Sequence, residues 1–168
     1  MASSILGEPR ATVDIDVAVR LPRDRVDALV EGLESDFYVD RAAALDAVRR
    51  RASFNAIHHE TVLKVDFFVL GDTSFDREQL SRRRSLPISD GGGQHVFVSS
   101  AEDLVLRKLE WYQAGGGVSD RQWRDVLGVL KVQAGRLDVD YLRRWAVELG
   151  LGELLDRALR AAGTDGER

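Results

Sequence analysis

A chain of 168 residues, 44% of them apolar, suffices for one domain that hides about 70% of its unfolded surface, and two independent domains would be a strain. With no apolar run near the roughly 18 residues of a membrane span and no basic, apolar leader, neither a span nor a secretory signal is expected, and the expected compartment is the cytoplasm. The absence of cysteine removes disulfides and zinc-thiolate centres, and the net charge of -4 argues against gross attraction to nucleic acid.

The first predicted element is a strand. Val13, Ile15, Val17 and Val19 fall on every second position, so Asp14 and Asp16 share the opposite face, about 6.5 to 7 Å apart along the chain. Paired acids on a strand repel each other unless something positive lies between them, and they suit a divalent cation. The tripeptide is weak by itself, because Asp138-Val139-Asp140 repeats it where a helix start is the simpler explanation. Leu21-Pro22-Arg23-Asp24 then opens a helix with Val26, Leu29, Val30 and Leu33 on one side. Asp40 caps a shorter helix over Ala42 to Arg51, and Ser53 to His58 reads as a short strand.

The run from Val62 to Leu70 is nearly continuously apolar and predicts a central strand, interrupted only by Lys64 and Asp66. An unpaired carboxylate there would cost several kcal/mol to desolvate. Two groups could compensate Asp66: Lys64, two residues back on the same face, or a cation shared with Asp14 and Asp16 if the two strands are neighbours. Three carboxylates from adjacent strands would suit one or two magnesium ions, and two ions about 3.5 to 4 Å apart serve in-line displacement at phosphorus.

Arg77 to Arg84 predicts a charged helical or turn segment. Gly91-Gly92-Gly93 predicts a loose loop, without the Gly-Lys-Ser/Thr ending of a phosphate-binding loop. His95 to Val98 predicts a short strand. The remainder is helical: Ser100 with Asp103 caps a helix running to Gly115-Gly116-Gly117, and Ser119 caps the next. Two more follow, marked by Leu142, Trp145, Ala146 and Leu149, and by Leu151, Leu154, Leu155, Ala158 and Leu159. Trp111, Tyr112, Trp123 and Trp145 sit at helical spacings that favour a core over base-stacking platforms. His58, His59 and His95 read as surface or partly buried residues. The triplets Arg49-Arg50-Arg51 and Arg82-Arg83-Arg84 read first as solvated helix ends or loops.

Four blocks are Gly7-Glu8-Pro9-Arg10-Ala11-Thr12-Val13-Asp14-Ile15-Asp16, Leu63-Lys64-Val65-Asp66-Phe67, the run from Ser100 to Trp111, and Ser119-Asp120-Arg121-Gln122-Trp123-Arg124-Asp125-Val126. In that order they resemble the nucleotidyltransferase-like family that includes the AbiEii-type toxins of toxin-antitoxin and abortive-infection systems. The resemblance implies an α+β fold of the DNA polymerase beta-like minimal nucleotidyltransferase kind. It has a small mixed sheet flanked by helices over 1–98, a helical part packed on it over 99–162, and a flexible tail over 163–168.

By that likeness Asp14 and Asp16 hold metal, and Asp66 either helps deprotonate the acceptor hydroxyl or completes a second metal site. Lys108 reaches the triphosphate, Ser3, Ser4, Arg10 and Arg121 bind the nucleotide, and Asp125 belongs to the catalytic set. Read from the residues alone, Lys108 has a rival role as a snorkelling side chain on an amphipathic helix. Family members carry a Gly-Ser or Gly-Gly pair just before the segment matching Met1-Ala2-Ser3-Ser4, and the sequence begins after that point.

The implied activity is a magnesium-dependent transfer of a nucleoside monophosphate from a nucleoside triphosphate to a hydroxyl of RNA, such as tRNA, or protein. An antitoxin protein is an implied partner, and no membrane is involved. The alternative is a catalytically silent binding or regulatory protein of the same fold.

Overall fold

The computed structural model describes residues 14–87, 93 and 95–163, with Asp14 described by its backbone alone. Among them the protein is α+β: seven α-helices, a mixed sheet of four strands and a separate two-stranded sheet. These residues fold as two units, with the boundary after Asp76.

In the first unit, β1 (Asp14–Val19), β2 (Phe37–Val39), β3 (Ser53–His58) and β4 (Lys64–Val69) form the sheet in the order β1-β4-β3-β2. β4 is central, as its apolar run predicts, parallel to β1 and antiparallel to β3, while β2 runs antiparallel to β3. The period of two holds in β1, where Ile15, Val17 and Val19 are half-buried and Asp16 and Ala18 exposed.

Pro22 leads into a 3-10 turn (Arg23–Arg25) and helix α1 (Val26–Leu33). Asp40 caps α2 (Arg41–Arg50), its Oδ1 accepting from the N–H groups of Ala42 at 2.8 Å and Ala43 at 3.0 Å. The small buried residues of α2, Ala44 and Ala47, let this helix approach the sheet closely. They meet Val26, Phe54 and Val69 in one core that also takes in Leu29, Val30, Val39 and Phe67. Phe54 and Phe67 stack with centroids 5.0 Å apart. The register puts Ile15, Val17 and Val19 in one layer with Val65, Phe67, Val69, Phe54 and Ala56, the face that α1 and α2 cover, while the other face carries Asp16 and Asp66 together with Ala18, Phe68 and Ile57.

Val62 does not start β4. It stands in the preceding turn at φ 57, a left-handed conformation that is costly for a β-branched residue, and its side chain is exposed. Just past β4, a Cβ at Gly71 would lie 2.7 Å from Arg51 Nη1 and 3.0 Å from Asp76 Oδ2, so a larger residue there would have to displace the end of the Arg51 side chain.

Helix α3 (Ser74–Arg82) crosses the boundary between the units. Its first turn is held by reciprocal bonds: Thr73 N–H donates to Asp76 Oδ2 and Asp76 N–H to Thr73 Oγ1, both 3.1 Å. The predicted charged segment is helix as far as Arg82. It continues as β5 (Arg84–Pro87), which pairs antiparallel with β6 (His95–Val98). This hairpin groups with the helices after it, so the boundary between the units falls earlier than one drawn between residues 98 and 99.

Four helices complete the second unit: α4 (Ala101–Ala114), α5 (Asp120–Val132), α6 (Val139–Glu148) and α7 (Gly152–Ala162). α4 packs on α5 and α6, and α7 on both of those. Val105, Leu106, Leu109, Val126, Val129 and Leu130 fill the interior together with Leu142, Ala146, Leu151, Leu155, Ala158 and Leu159, which the sequence spacing predicts. Asp138 does cap α6, its Oδ1 accepting from Tyr141 N–H at 2.9 Å. Among the described residues no helix is long and apolar enough to cross a membrane.

Candidate active site

The parallel pairing of β1 with β4 sets Asp14 opposite Lys64 and Asp16 opposite Asp66. Neighbouring strands lie about 4.8 Å apart and alternate residues about 6.5 to 7 Å, so these four positions mark a small rectangle on the sheet face away from α1 and α2. Three of its corners are acids and the fourth is a lysine. Lys64 Nζ lies 2.9 Å from Asp66 Oδ2, which confirms the first of the two compensations open to that carboxylate. The contact is partly solvated, with side chains 40% and 21% exposed. Asp16 is exposed. Among the described residues no group of three or more His, Cys, Asp or Glu side chains is placed to hold a metal, and the side chain of Asp14 stands outside that set.

The register extends the row by one residue that the sequence reading missed. Asn55 of β3 pairs with Asp66 and is exposed, between the buried Phe54 and Ala56. Its signal in the sequence is an asparagine, a residue depleted in strands, at the solvent phase of an alternating run.

Lys108, Arg121 and Asp125 belong to the second unit. The hydroxyl of Ser100 accepts from Asp103 N–H at 3.1 Å and fixes the start of α4, and Ser119 caps α5 through Gln122 N–H. These helices bring Lys108 Nζ to 3.1 Å from Asp125 Oδ2, in a pair only 5% and 9% exposed. Lys108 is therefore neither snorkelling nor solvated. Arg121, one turn before Asp125, is exposed. Ser3, Ser4 and Arg10 lie outside the described residues.

A second buried cluster also escaped the sequence reading. Asp103, fully buried, accepts from Tyr141 Oη at 2.6 Å and Ser100 Oγ at 2.7 Å, and Arg82 Nε stands 3.5 Å from its Oδ2. Arg82 also donates to Glu102 Oε2 at 3.2 Å and lies 3.9 Å over the Tyr141 ring. Glu102 in turn accepts from Asp138 N–H at 3.1 Å.

Burial raises the Asp103 carboxyl above the usual range, against the hydrogen bonds from Tyr141 and Ser100. Burial, with the Asp103 charge it bonds to, also raises the Tyr141 phenol. For Glu102, burial pulls upward, but the hydrogen bonds that it accepts, led by Asp138 N–H, bring it below its ordinary value. In the sequence Asp103 shows only as the partner of a helix cap. Nothing there links it to Tyr141.

The arginine triplets are taken up locally. Arg49 and Arg50 pair with Asp46 on their own helix, Arg51 ends that helix in the left-handed conformation, and Arg83 lies over the Phe97 ring. The histidines likewise bond nearby: His58 with Thr61, His59 with the Glu34 carbonyl and His95 with Ser85. Comparison with protein-family models and with curated proteins returns no match.

Proposed function

We propose that this chain is a magnesium-dependent nucleotidyltransferase, and the observation that carries the reading is the register of β1 with β4. It joins Asp16 to Asp66 and puts the Asp14 position one step along the same face. The donor set offers only carboxylate oxygen, which fits magnesium, a hard cation that keeps room for substrate phosphates. A divalent cation bound there supplies charge neutralisation at the reacting phosphate.

The chain's own residues do the rest. Asp14, Asp16 and one oxygen of Asp66 would hold the cation, and the other Asp66 oxygen takes the proton of the acceptor hydroxyl as the hydroxyl oxygen bonds to the α-phosphorus. The bond from that phosphorus to the bridging oxygen breaks, and diphosphate leaves with the electron pair. The acceptor is a hydroxyl of RNA or protein in the cytoplasm. The reaction is that of a toxin held in check by an antitoxin protein.

Incubation of the full-length protein with labelled nucleoside triphosphates, magnesium and total cellular RNA and protein tests the proposal. Label is expected on one acceptor class, lost in Asp16→Asn without a change in thermal melting. Wild-type protein that transfers nothing leaves a silent binding or regulatory protein.

A further inference from the structure

Lys64 is the basic residue among the described strand positions of the acidic face, and the fold holds it there twice over. The two-residue period of β4 puts it on the same face as Asp66, and the parallel register puts it opposite Asp14. An ammonium has three donors and no acceptor, so it can neutralise a carboxylate but cannot ligate a cation. At 2.9 Å from Asp66 Oδ2 it occupies the oxygen that a divalent ion would need. Its side chain is 40% exposed, so the ammonium can swing into water with little desolvation cost. The stem is flexible enough for that movement.

We propose that Lys64 is a tethered cation which holds Asp66 until a divalent ion displaces it, and whose released ammonium then pairs with the phosphates of the incoming nucleoside triphosphate. The inference rests on the metal-site reading above and adds a regulation to it: the ion alone binds weakly, and the ion with its nucleotide binds well. The charges favour this order. With one divalent ion bound, three acids, the ion and the lysine sum to zero, so the rectangle no longer repels the triphosphate that the displaced ammonium meets. In effect Lys64 keeps the site from filling with metal when no nucleotide is present.

Manganese binding to the purified protein, followed by the loss of the free-ion electron paramagnetic resonance signal, tests this without any turnover. In Lys64→Met the affinity for manganese alone is expected to rise about fivefold, the size of a broken half-exposed ion pair. The affinity for a non-hydrolysable triphosphate analogue presented as its manganese complex is expected to fall. Lys64→Arg, which keeps the charge, is expected to retain both wild-type values, and thermal melting verifies that each variant is folded.

These opposed shifts separate displacement from a general structural effect, which moves both affinities the same way. If Lys64→Met binds manganese no tighter than wild type, the role of Lys64 is overturned and the metal site stands. If wild type and Lys64→Met bind manganese no better than Asp16→Asn, the metal-site reading falls and takes this inference with it.

Discussion

The protein holds two lysine-aspartate pairs of nearly equal length in opposite surroundings. Lys64 meets Asp66 at 2.9 Å on a sheet face where water still reaches both, whereas Lys108 meets Asp125 at 3.1 Å between two helices with almost none. Length is therefore a poor guide to what a pair does. In the exposed pair each partner can exchange the other for water, a cation or an anion at small cost, so the contact is replaceable. In the buried pair either charge left alone would be stranded in a medium that cannot solvate it, so the contact is structural first.

The largest test of this contrast is at the buried pair. Lys108→Met strands Asp125 and is expected to cost about 3–5 kcal/mol in urea unfolding. The double variant Lys108→Met with Asp125→Leu should recover most of that loss, because apolar partners remove both charges together. Equal losses in the single and double variants would mean that packing, not charge, sets the cost.

Next in size is Asp103, a carboxylate buried still more deeply and held by a hydroxyl. Tyr141→Phe is expected to cost about 1.5–3 kcal/mol, the range for a hydrogen bond to a charged group. The pH dependence has a definite sign. A carboxyl raised by burial favours the folded state when protonated, so the contribution of Asp103 is greatest below about pH 4 and falls as pH rises through its raised value. Glu102, held below its ordinary value, acts oppositely: its contribution is present above the ordinary value and is lost as pH falls through the lowered one. The stability penalty of Asp103→Asn should therefore shrink between about pH 4 and pH 7, as read from unfolding midpoints across that range.

The smallest effects belong to the exposed pair. Lys64→Met should change stability by no more than about 1 kcal/mol, and Asp16→Asn by about 0.5 kcal/mol or less. A loss at Lys64 as large as that at Lys108 would erase the contrast between the two pairs.

Much of this could be read from residue types. Alternating valines around Asp14 and Asp16, and an acid at position 66 in an apolar run, are local patterns that local geometry obeys. The caps at Asp40, Ser100, Ser119 and Asp138 were legible for the same reason. Other features were hidden because they depend on where distant segments pair. The three-residue strand at Phe37 is too short for alternation to show, and Arg84 to Pro87 becomes a strand only because His95 to Val98 lies beside it. Whether Lys108 would face water or another charge depended on a helix beginning a dozen residues later. The link from Asp103 to Tyr141 spans 38 positions and leaves no periodic trace.

The parallel register of β1 and β4 has one more consequence, in the order of assembly. The strands that carry Asp16 and Asp66 are about fifty residues apart in the chain, so their pairing must wait for the closure of a long loop. β2, β3 and β4 follow one another through shorter connections and can associate first. β1 then docks along one side of β4, and it brings two of the three acids with it. Local opening that frees only this strand would dismantle the proposed cation site while the helical core and the rest of the sheet stay folded.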